Sequence, residues 1–194
     1  MSTRGCYGFR KNGIDKLTYN HYDSYPSGLG RIILEFCKET SLDEMNEIYD
    51  KLILVDGGVK PTKEQIEECK QYYDGNVGSR TVDDWYCLLR NAQGDLNAYK
   101  NGLRYMMEYG DFIKNSLFCE YAYIINLDTK KMEFWKGFQH KPNPNNRYGT
   151  KPRNGYKDDY YPCKMVATYS LLPRYIAKRD VDKTIADMEK KSGY

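Results

Sequence analysis

The chain has 194 residues, with 30 lysines and arginines against 27 aspartates and glutamates for a net charge of +3, six cysteines, two histidines and 20 tyrosines. That length can bury a core without a disulfide or metal staple. The near balance of charge excludes a surface that coats nucleic acid through global charge, so any basic surface must be local.

The cysteines (Cys6, Cys37, Cys69, Cys87, Cys119, Cys163) include no CxxC pair, which fits neither a zinc site nor a small disulfide scaffold. They read as reduced, mostly buried thiols. No run approaches the roughly 20 apolar residues that span a bilayer, and no basic flank with an apolar h-region opens the chain. The expectation is a soluble cytoplasmic protein of one domain over residues 1–194.

In chain order, "TRGCYGFRKNGIDKLTYNH" predicts a hairpin with strands near 3–10 and 16–21, because Asn12-Gly13 accepts the positive φ values of a tight turn. After the loop "SYPSGLG", apolar residues at Leu29, Ile32, Ile33, Phe36 and Cys37 predict a helix from Ser27 to Glu39. Capping-box pairs at Ser41/Glu44 and Thr62/Gln65, a helix start at Thr81, and a helix from Asp95 to Glu108 make residues 41–112 a helical insertion.

"LFCEYAYIINLDTKKMEFWKGF" predicts a second hairpin, with its turn over Asp128–Lys131. Residues 139–162 hold four prolines and almost no aliphatic side chain, which reads as a long loop. "CKMVATYSLL" is a last strand, and "DVDKTIADMEKKS" a terminal helix. The pattern is α+β: a mainly antiparallel sheet from N- and C-terminal hairpins, covered by helices.

Two residues apart on an extended strand, His21 and Asp23 would share a side, where a carboxylate can fix an imidazole's tautomer and raise its pKa for acid/base chemistry. The alternative is that they organise the strand-to-helix junction. Cys6 faces residue 19 or 20 across the hairpin, close to His21 but one or two positions short, and Ser2 offers an N-terminal nucleophile if Met1 is removed.

Gly28 and Gly30 precede Arg31 at a helix start, where free amides can hold phosphate, although the spacing is not that of a P-loop. In the long loop, Lys141, Arg147, Lys151, Arg153 and Lys157 interleave with Tyr148, Tyr156, Tyr160 and Tyr161. Cations meet phosphates while tyrosine faces stack on unpaired bases, so this composition suits a single strand. Metal ligands are scarce with His21 and His140 the only histidines, no "GxSxG" elbow is present, and no cofactor is expected.

The stretch "HYDSYPSGLG", following an opening "MSTR" and an Asn-Gly hairpin, resembles a family of uncharacterised bacteriophage and prophage proteins with "HWDGYPxGxG". "CEYAYIINLDTKKMEFWKGF" is similar to a hairpin of the same proteins, and the two patches cover about a quarter of the chain. Tyr22 and Ser24 stand where that family has Trp and Gly, so the loop either needs no positive φ at Ser24 or adopts one there at a cost in strain.

The resemblance implies a mobile-element origin and carries no activity. The N-terminal hairpin is also topologically similar to N-terminal nucleophile hydrolases. The leading expectation is an accessory binding protein in the host cytoplasm, a counter-defence inhibitor that occupies a host nucleoprotein, RNA, other nucleic acid or nucleotide. Its rival is a small nuclease or amide hydrolase using His21 and Asp23 with Cys6 or Ser2.

Overall fold

A computed structural model of the protein describes residues 3–152 and 160–193. Strands β1 (Gly5–Lys11) and β2 (Ile14–Asn20) form the first hairpin, and Asn12 and Gly13 supply the expected positive φ values of 53° and 76°. A wide turn over Pro26–Gly30 leads into α1 (Arg31–Glu39). The helix expected from Ser27 is interrupted here, because Gly28 adopts φ −97° and ψ −105°, outside the helical range.

Helix α2 (Leu42–Lys51) opens on the full Ser41/Glu44 capping box, strand β3 (Ile53–Val55) follows, and α3 (Lys63–Cys69) opens on the Thr62/Gln65 box. Helix α4 (Trp85–Leu88) is capped by Asp84 rather than begun at Thr81, whose hydroxyl instead lies 2.9 Å from that of Ser79. Only α5 (Asn97–Lys100) forms from the helix expected over 95–108. Gly102, at φ 109°, turns the chain, and the fully buried Tyr105–Met107 becomes β4, paired in parallel with β3.

The second hairpin is β5 (Tyr121–Asn126) with β6 (Lys131–Lys136), and β7 (Lys164–Ser170), α6 (Pro173–Ile176) and α7 (Val181–Ser192) complete the chain. Leu117 and Cys119, expected on the fifth strand, precede it. The main sheet has the order β2-β1-β5-β6-β7, antiparallel except where β1 runs parallel to β5 at its centre. The fold is therefore α+β with a mainly antiparallel sheet, and no helix among the described residues is long and apolar enough to cross a membrane.

Side-chain alternation gives the sheet two buried faces. Tyr7, Phe9, Tyr121, Tyr123, Ile125, Met132 and Phe134 meet the helices, including those of residues 42–100, in one continuous core. Each such side chain contributes about 1.5–3 kcal/mol on burial. The other face carries Cys6, Leu17, Ala122, Ile124 and Trp135 beneath Ile113, Cys119 and Cys163. All six cysteines are free and buried.

Candidate nucleic-acid interface

Strand direction decides which residues meet. With β1 parallel to β5 and their hairpin partners reversed, the residues before β1, after β2, before β5, after β6 and before β7 all gather at one end of the sheet. The opposite end is closed by its turns, where Asp128 accepts hydrogen bonds from the Asn12 and Gly13 amides at 2.6 and 3.0 Å.

The gathered end carries cations over aromatic rings. Arg90 lies 4.8 Å from the Tyr22 ring, which meets His21 edge-on at 4.4 Å. Arg4 lies 4.7 Å from the Phe118 ring, and Lys136 lies 4.1 Å from Tyr121 and 5.4 Å from Phe138. Phe138 meets Tyr160 at 6.3 Å, and Tyr160 meets His140 at 4.5 Å. Hydrogen bonds from the Phe138 amide to the Ser116 carbonyl (2.7 Å) and from the Gly137 amide to the Glu120 carbonyl (2.8 Å) bind the segments before β5 and after β6 together.

Tyr22, Phe118 and Phe138 expose 52, 40 and 40 % of their surface at this end. Lys164 and Lys141 border a hollow of about 490 Å³ beside His140. Among the described residues neither Arg4 nor Arg90 has a carboxylate within salt-bridge distance; Glu120 instead accepts the Arg4 backbone amide at 3.2 Å. Burial lowers the Lys136 amine from its ordinary pKa, with Glu120 opposing.

His21 and Asp23 reach this end without forming a pair. The His21 Nδ1 lies 2.8 Å from the Tyr19 hydroxyl, and its backbone amide donates to Gln93 Oε1 at 3.1 Å, which also accepts from Arg90 at 2.7 Å. Burial first, then Arg90 and Arg4, lower its pKa, the reverse of the shift an adjacent carboxylate would give. Asp23 takes φ 48°, and its carbonyl accepts the Leu29 amide at 2.8 Å. The positive φ of this loop falls on Asp23, a residue type that tolerates it, and not on Ser24, which is fully buried with its hydroxyl accepting from Asn20 Nδ2 at 2.8 Å.

Cys6 pairs with Tyr19 in the ladder, close to the expected register, but points into the buried face with its Sγ 3.8 Å from that of Cys119. Burial pushes the Cys119 thiol well above its usual pKa, and no contact joins Cys6 to His21 among the described residues. Ser2 lies outside the described residues. Among the described residues, Cys6, His21 and Asp23 of the hydrolase expectation are not brought together.

The amides expected to hold phosphate are already occupied: Gly28 and Gly30 donate to the Tyr25 carbonyl at 3.0 and 3.4 Å. A Cβ at Gly28 would lie 2.1 Å from the Asp23 carbonyl oxygen, and one at Gly30 2.9 Å from the Tyr123 ring, so both glycines permit close packing. Arg31 pairs with Asp182 at 2.6 Å and Glu35 at 3.8 Å.

In the long loop, Arg147 grips Glu133 with two hydrogen bonds of 2.9 and 2.6 Å and covers Trp135, while the Tyr148 hydroxyl donates to Asp15 at 2.8 Å. Glu133 also accepts from Trp135 Nε1 and Asn126 Nδ2. These two loop residues anchor the loop to the sheet's second face. Lys151 is exposed, and Arg153, Tyr156 and Lys157 lie outside the described residues.

The chain matches no family model, no curated protein and no solved structure. Arg4, Arg90, Phe118 and the neighbours Lys136 and Phe138 escaped the sequence reading because they come from four segments far apart in the chain. One signal was available: the hairpin register that sets Cys6 opposite Tyr19 and Gly5 opposite Asn20 continues to Arg4 and His21, and the second hairpin brings together the segments that carry Phe118 and Phe138.

Proposed function

We propose that the protein binds single-stranded nucleic acid across the gathered end of its sheet, as an accessory protein of a phage-like element that occupies a host RNA or nucleoprotein. The observation that carries this reading is the strip Arg90–Tyr22–His21, Arg4–Phe118, Lys136–Phe138–Tyr160–His140, in which three cations lie against aromatic rings, with Tyr22, Phe118 and Phe138 exposed. Cations neutralise phosphates while ring faces stack on bases of any identity, and duplex bases, already stacked on each other, offer no such faces. The mobile-element origin rests on the resemblance of "HYDSYPSGLG", and counter-defence is the role such an origin suggests.

Fluorescence anisotropy with a labelled oligouridylate and a duplex of equal length tests the reading. The expected result is tighter binding of the single strand, with affinity falling as salt rises. Equal binding of both, or affinity indifferent to salt, would overturn it. Shortening of the oligonucleotide by the wild type but not by His21→Ala would replace it with the nuclease reading.

A further inference from the structure

At the β2 end of the strip, a cleft of about 390 Å³ is lined by Tyr22, Asp23, Tyr25, Ile32, Arg90 and Asp95, among others. Tyr22 and Tyr25 present exposed rings, and Arg90 brings a guanidinium without a carboxylate partner among the described residues. The two acids differ. Asp95 commits Oδ1 to the Asn97 amide at 2.8 Å, whereas the exposed Asp23 carboxylate has no hydrogen bond or ion pair among the described residues. Its backbone is nonetheless fixed, by φ 48° and by the bond from the Leu29 amide to its carbonyl.

A carboxylate with both oxygens available, carried on a fixed backbone, accepts two parallel N–H bonds. Guanine is the common base whose Watson–Crick edge offers two adjacent donors, N1–H and the 2-amino group. Adenine and cytosine set one amine beside a ring nitrogen lone pair, and uracil flanks its single N–H with carbonyls, so each meets a carboxylate with repulsion. We propose that this cleft receives a guanine base of the bound strand, its face against the exposed tyrosines, its edge on Asp23 and its adjoining phosphate near Arg90. The proposal rests on the single-strand reading above and adds base selectivity to it.

Anisotropy titrations test it with a labelled oligouridylate, the same strand carrying a terminal guanosine at its 5′ or 3′ end, and the inosine versions lacking the 2-amino group. A terminal guanosine should tighten binding about tenfold, within the range of one bidentate base contact. Inosine should lose most of that gain. Asp23→Asn, whose side chain tolerates the same φ, should abolish the gain and leave oligouridylate affinity unchanged.

Equal affinity for all strands, or a guanosine gain that survives in Asp23→Asn, would overturn the guanine cleft while the oligouridylate titration still stands for the broader reading. A wild type that binds no strand would overturn both.

Discussion

Arg147 and Arg4 each lie 4.7 Å from an aromatic ring, yet they occupy opposite situations. Arg147, over Trp135, is 24 % exposed and completes its charge with Glu133, itself only 5 % exposed and held by Trp135 and Asn126 as well. Arg4, over the exposed Phe118, meets no carboxylate among the described residues. A guanidinium over a ring is thus ambiguous by itself: where a buried acid satisfies it, the pair fastens chain to chain, and where solvent does, the pair remains available to a phosphate and a base.

Breaking the fastened member should show the largest effect. Glu133→Ala leaves Arg147 covered and unpaired, and should cost about 3 kcal/mol, the lower end for such pairs because Arg147 keeps some solvent. Thermal denaturation should record a midpoint lower by about 6–12 °C for a chain of this size. A change below about 1 °C would mean that the pair does not hold the loop.

The available member should behave in the reverse way. Phe118→Ala or Phe138→Ala should weaken oligonucleotide binding by about 1–3 kcal/mol, the worth of one stacked base, while melting shifts little. Arg4→Glu should lower affinity about tenfold and reduce its salt dependence by roughly the share of one phosphate contact, again within about 0.5 kcal/mol of wild-type stability. Loss of fold in either would place these residues with Arg147 instead.

The smallest effect is a pH dependence. Because burial, Arg90 and Arg4 lower the His21 pKa from its ordinary 6.5, the unfolded chain takes up a proton before the folded one. The His21 contribution is therefore intact above pH 6.5 and is lost as pH falls through the lowered folded value. His21→Gln should flatten stability over that acidic window in denaturant titrations, and an unchanged slope would show that His21 carries none of it.

Much of the fold was legible because it depends on local chemistry. Asn12-Gly13 announced the first hairpin, Ser41/Glu44 and Thr62/Gln65 announced two helix starts, and period-two apolar residues announced β5 and β6. The parallel pairing of β1 with β5 was not legible, since it joins segments more than 100 residues apart with no local signature. That pairing assembles the candidate interface, so only its His21 corner and the Lys141–His140–Tyr160 stretch could be read beforehand.

The strand β4 hid inside a helical pattern for a related reason. Tyr105–Met107 is apolar throughout, and a short apolar run fits a buried helix or strand equally well until its partner β3 is in place. Arg147 and Tyr148 looked like ligand-facing residues by composition, and the acids that claim them, Glu133 and Asp15, lie in other elements.

Photo-crosslinking of a 4-thiouridine oligonucleotide, followed by mass spectrometry of the adducts, tests the central claim most directly. Adducts on Phe118, Phe138, Tyr22 or Tyr160 would place the strand along the gathered end of the sheet, as this account predicts. Adducts confined to other surfaces, such as Tyr175 or the Arg147–Tyr148 anchor, or none at all, would contradict it.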